Sequence, residues 1–95
     1  MSNNLVVSVT LDQNDNHVCD PTETVVRPGD TVVWSGPVQV FFPDDTPFVE
    51  GRGPFGNGVT VTVNTIPPIK PGIFRHATTL NGTLRPTIGD IIVQN

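Results

Sequence analysis

Apolar and polar positions alternate along this chain in short runs broken by turn residues. In "LVVSVTL", Leu5, Val7, Val9 and Leu11 fall on one side and Val6, Ser8 and Thr10 on the other, the period-two pattern of a half-buried strand. The polar "DQNDN" ends that run as a turn. A short segment from His17 to Cys19 leads to Pro21, and "TETVVRPGD" predicts another brief strand closed by a Pro-Gly turn. Residues 31–34 and 38–42 are the most apolar runs and the predicted core strands, separated by the bend "SGP". Trp34 alternates with Val32 toward the opposite sheet, whereas Phe41 and Phe42 point to opposite faces.

The pattern then dissolves in "PDDTPFVEGRGPFGNG", which predicts a long surface loop, and compact domains keep so long a loop for packing or binding. Alternation returns in "VTVTVN", with Val59, Val61 and Val63 inward. The prolines of "TIPPIKPG" lack ladder donors and exclude a central strand. "IFRHATTL", the turn Asn81-Gly82 and "TLR" predict a hairpin, and "GDIIVQN" a last strand. With ten prolines and nine glycines in 95 residues, the chain reads as one all-β domain spanning residues 1–95. The expected architecture is a two-sheet Greek-key β-sandwich of about seven or eight strands.

The formal charge of -4 repels phosphate backbones, so nucleic acid is not an expected partner. No run approaches the roughly 20 apolar residues of a membrane span. The start "MSNNLVVSV" lacks the features of a secretory signal, which predicts a cytoplasmic protein if the chain is full length. Cys19 is the one cysteine, so no intrachain disulfide forms and packing alone must hold the fold.

At "VVRPGDTVVW" followed by "PVQVFF", and again at "KPGIFRH" followed by "GDIIVQN", the chain resembles a cupredoxin, the Greek-key sandwich of small blue copper proteins. In that family a proline followed by a histidine ligand opens the strand after the aromatic one; here Pro37 is followed by Val38. The resemblance lays the family's cysteine near His76, its second histidine near Thr79, and its methionine near Thr87 or Ile88. A blue copper site needs a thiolate, and no cysteine follows Cys19. The resemblance therefore implies the scaffold without copper, electron transfer or any other cofactor. The chain is also similar to small bacterial cupredoxin-like proteins that pair a "GDTVVW" strand with a downstream "PF" loop, whose members offer no function to carry over.

Several constellations bear on function. Asp12, Asn14, Asn16, Asp20 and Glu23 have the spacing of a calcium loop, but His17 occupies the glycine position and Pro21 interrupts the exit, which favours an Asx-rich turn. His17 and Cys19, on one face of a strand, are candidate ligands for copper or zinc, with His76 as a third if the fold brings it near. The competing assignment is a buried free cysteine and ordinary histidines. No serine lies in a nucleophile-elbow pattern, and Cys19 beside His17 does not by itself make a catalytic couple, so the chain is not an expected enzyme.

The loop offers Phe48, Glu50, Arg52 and Phe55 as partner-binding residues, because aromatics and arginine anchor protein interfaces. The alternative is that both phenylalanines fold back to plug the sandwich. The leading expectation is thus a non-catalytic binding or assembly module with a protein partner, and an exposed Phe41 or Phe42 would make self-association an expectation as well. Rival classes are a metal-binding protein using His17, Cys19 and His76, and a carbohydrate-binding sandwich, for which one tryptophan and no tyrosine leave few stacking rings.

Overall fold

The alternating runs do become strands. The computed structural model describes residues 3–65 and 71–94, so Ile66 to Lys70 of the proline-rich "TIPPIKPG" lie outside the described residues. It holds nine strands: β1 (Asn4–Leu11), β2 (His17–Val26), β3 (Thr31–Ser35), β4 (Val38–Phe41), β5 (Thr60–Thr62), β6 (Gly72–Arg75), β7 (Ala77–Leu80), β8 (Thr83–Arg85) and β9 (Thr87–Val93). A six-stranded sheet has the order β5-β3-β1-β2-β9-β6, and a three-stranded sheet β4-β7-β8 faces it. Among the described residues no helix is long and apolar enough to cross a membrane.

The strand count exceeds the expected seven or eight because the chain changes sheets within a run that reads as continuous. "IFRHATTL" divides at His76: β6 pairs with β9 in the large sheet and β7 with β4 in the small one. Ser35-Gly36-Pro37 makes the same crossing between β3 and β4. Conversely, the two segments around Pro21 join as one strand, β2, whose parallel register with β9 shifts between Val18 and Glu23 at a bulge. The Asn81-Gly82 hairpin forms as expected, with φ of 53° and 80° at its two central residues, the left-handed pair of a type I′ turn.

Trp34, Phe42, Ile91 and a set of valines fill the space between the sheets. Two positions expected to face inward do not reach this core: Leu11 is 52% exposed and Val59 42%. Orientation buries a side chain only where the opposite sheet extends over it. Leu11 ends β1, Val59 precedes β5, and the covering sheet has three strands against six.

The "RPGD" turn owes its aspartate to hydrogen bonding. Asp30 is 3% exposed, and its carboxylate accepts from Arg27 N at 2.9 Å and Asn3 N at 2.9 Å, tying the turn to the start of β1. A buried carboxylate satisfied by backbone donors is a scaffold element, so this motif belongs to the fold.

The long loop is packed rather than free. Val40 and Phe55 exchange backbone hydrogen bonds of 2.9 and 2.8 Å, and Phe42 N donates to Arg52 O at 2.8 Å, so the loop returns along β4 almost as another strand. Gly53 makes that approach feasible: it has φ of 91°, and a Cβ there would stand 2.6 Å from Val40 O. Phe48 forms a second bridge, to Val63, beside the far edge of the large sheet.

Candidate functional site

Two groups of residues were expected to carry function, and the fold treats them differently. In the loop, Phe48 and Phe55 are 3% and 7% exposed, so the expectation that these rings meet a partner is corrected: they plug the sandwich. The remaining two sit outside. Glu50 accepts through Oε1 from Thr62 N at 2.8 Å, and Arg52 donates from Nη1 to Pro43 O at 3.2 Å.

Arg52 borders an open cleft of about 480 Å³ in which Phe41, Pro43 and Pro54 supply apolar surface and Gln39 and Thr79 polar groups. Gln39 and Thr79 were not among the expected site residues. They are cross-strand neighbours on the outer face of the small sheet, a pairing that no single run of sequence displays.

The second group, His17, Cys19 and His76, is drawn into the core. His17 and Cys19 are 0% and 1% exposed and lie two residues apart on β2, facing the small sheet. They take separate partners. Cys19 Sγ lies 3.5 Å from His76 Nε2, whereas His17 Nδ1 lies 2.7 Å from Thr78 Oγ1 and 3.1 Å from Thr78 O. Nδ1 thus lies within hydrogen-bond reach of both the hydroxyl and the carbonyl of Thr78. Thr78 Oγ1 also meets Thr87 Oγ1 at 2.9 Å, extending this couple to β9. Among the described residues, three buried ring nitrogens have no partner: His17 Nε2, His76 Nδ1 and Trp34 Nε1.

The surroundings hold the Cys19–His76 couple uncharged. The His76 ring centroid lies 5.8 Å from that of Trp34 and 5.6 Å from that of Phe42, and burial lowers its pKa to about 4 although the Asp90 charge opposes the shift. Burial pushes the Cys19 thiol up to about 11, with Asp90 adding to the rise. A sealed thiol of this kind supplies no thiolate nucleophile near neutral pH.

These residues do not fit a copper centre of the resembled family. Cys19 comes from β2 rather than from the strand around His76. Val38, at the place of the family's first histidine, pairs with Leu80, four residues and roughly 13 Å of extended chain beyond His76. Thr79 pairs with Gln39 on the outer face, and Ile88 is 44% exposed. Among the described residues, no three His, Cys, Asp or Glu side chains form a group that could hold a metal ion. The calcium-like spacing resolves into an Asx turn: Asp12 Oδ1 accepts from Asn14 N at 2.8 Å and Asn16 N at 2.9 Å, bonds that lower its pKa.

Cys19 depends on a neighbour that sequence reading did not single out. A Cβ at Gly89 would stand 2.6 Å from both Cβ and Sγ of Cys19, across from the β2 bulge. Gly89→Ala is therefore expected to destabilise the fold by about 1–3 kcal/mol in urea denaturation. Adding Cys19→Ala should restore only part of the loss, because it removes the sulfur and leaves the Cβ clash.

No protein-family model matches the chain, and no curated protein matches it either. Among solved structures it is similar to a pseudoazurin from Sinorhizobium meliltoi, at 19% identity and a TM-score of 0.59. That likeness covers 98% of this chain and 75% of the pseudoazurin chain. Together with the two-sheet topology, it shows that this chain has the cupredoxin-like fold.

Proposed function

We propose that this chain is a non-catalytic binding or assembly module, and that its contact surface is the cleft between Arg52 and the outer face of the small sheet. One observation carries the reading: the loop is clamped onto β4 at Phe55 and to Val63 at Phe48, which leaves Arg52 beside Phe41 and two prolines at an open surface. Arginine and aromatic rings are frequent interface anchors, and a loop already held in place loses little entropy on binding. Meanwhile the side chains with nucleophilic or ligating chemistry, Cys19, His17 and His76, serve as core packing. The expected partner is another protein.

A photo-reactive residue placed at Gln39, exposed in the cleft, tests this in the cells that make the protein. Adducts with a defined protein are expected there and not from the same residue at Gln13 in the exposed β1–β2 turn. Adducts at both positions alike, or at neither, overturn the reading. Stoichiometric copper or zinc in protein purified without chelator would replace it with metal carriage through His17, Cys19 or His76.

A further inference from the structure

The outer edge of the large sheet is a second open surface, distinct from the Arg52 cleft. β6 is an edge strand, hydrogen-bonded on one side to β9. Alternate residues of an edge strand direct backbone N–H and C=O groups away from the sheet, a template for another strand. Register aligns Ile73 with Ile92, and Ile92 with Val25, so an apolar row crosses three strands on the outer face and ends at this edge. Ile73 is 65% exposed and Val25 46%, whereas Phe74, pointing the other way, packs against the core.

The charges around the edge are complementary to one another. A cleft of about 460 Å³ runs along β6, with Asp44 and Asp45 on its other wall. The side chains of Arg75 and Asp44 make no hydrogen bond or ion pair among the described residues, and that of Asp45 accepts there only from Thr46 N, at 2.9 Å. Arg75 lies opposite Asp90 of β9 without closing an ion pair to it among the described residues, so one chain presents a cation and an anion pair along the same edge strand.

We infer that the occupant of this edge is a second copy of the chain, added antiparallel through β6. A two-fold axis through Ile73 sets Ile73 against its own copy and Arg75 opposite Pro71 of the second copy, at the mouth of the cleft walled by Asp44 and Asp45. Both copies use the same patch, as a two-fold interface requires, and each apolar row continues into the other. A basic peptide strand meets only half of this pattern, since it brings Arg75 no carboxylate beyond Asp90 of its own chain. With four residues in the edge strand the contact is modest, and the dimer forms as concentration rises.

Sedimentation equilibrium over a dilution series tests this on the full chain. The expected result is a mass rising from one chain toward two, and a loss of that rise in Ile73→Lys, in Arg75→Asp, and in the double variant Asp44→Lys with Asp45→Lys. Mixing the last two proteins should restore association, because each then offers the other its opposite charge. Should a charge variant fail to fold, amide hydrogen exchange of the unaltered protein decides: protection at residues 72–75 should grow with concentration. A chain that stays monomeric throughout, or a dimer indifferent to these changes and protected elsewhere, overturns the inference. Neither result touches the Arg52 cleft, which lies on the other sheet.

Discussion

Replacing Trp34 by alanine is expected to cost about 3–5 kcal/mol of folding free energy. The indole is 1% exposed and sits among three rings, with edge-on contacts to Phe42 at 6.3 Å and Phe48 at 5.9 Å and a tilted contact to His76 at 5.8 Å. Removing it opens a cavity bordered by both sheets and by the long loop, and the rigid strands cannot close over it. A domain of this size has about 5–15 kcal/mol in total, so the variant should unfold at a much lower urea concentration. The loop should loosen first, since Phe48 loses its ring contact with Trp34 and keeps only those with Phe42 and Val63. Trp34→Phe separates volume from polarity. It removes the unpartnered Nε1–H along with part of the ring, so its cost should be well under half that of alanine. A phenylalanine variant as unstable as the alanine variant would mean that Nε1 has a partner, such as a buried water, and is not idle.

Much of this core is legible in the sequence. Trp34 and Val32 read as inward-facing from alternation alone, and the Asn81-Gly82 turn from its dipeptide, because both signals are local. The resemblance carried by the "RPGD" turn and the flanking strands also pointed to the right fold, and the turn's buried Asp30 shows why that motif travels with a scaffold and not with a function. Sheet membership was not legible. Period two says which way a side chain points from a strand and nothing about which sheet the strand joins, so the bend at Gly36 was read without its change of sheet, and the crossing at His76 was hidden inside an apolar run.

The same limit governs the candidate sites. His17 and Cys19 were placed on one face correctly, but whether His76 joins them depends on how β7 docks across the sandwich, 57 residues away from Cys19. The fold gives His76 to Cys19 and Thr78 to His17, which divides one apparent ligand set into two couples. For the loop, composition identified the residues that matter and left their direction open. Phenylalanine serves a core as well as an interface, and only the bridges to Val40 and Val63 send Phe55 and Phe48 inward, leaving Arg52 outside.

Acid should destabilise the fold through His76 before carboxylates dominate. Its pKa is about 4 in the folded state, against 6.5 for the free side chain, so below pH 6.5 the unfolded chain takes up a proton that the folded chain refuses. Stability is therefore complete above about pH 6.5, falls as the pH drops, and has lost the whole contribution below about pH 4. Because a tenfold difference in proton affinity is worth about 1.4 kcal/mol, the loss across this window amounts to about 3 kcal/mol. His76→Leu removes the titrating group, and its stability should be nearly flat across that window relative to the parent. Leucine also removes the unpartnered His76 Nδ1 from beside Trp34 and Phe42, so the variant should match or exceed the parent at pH 5 even if it is slightly weaker at pH 7. Cys19 acts at the other end. Its thiol ionises at about 11 when folded and 9.0 when free, so stability holds below pH 9 and declines as the pH rises toward 11, a fall that Cys19→Ala should abolish. Urea midpoints of the three proteins from pH 4 to pH 10 distinguish the two groups, because each variant should flatten one limb and leave the other. If His76→Leu retained the full acid limb, another group would be responsible, and the couple at the centre of the sandwich would not be an uncharged packing element.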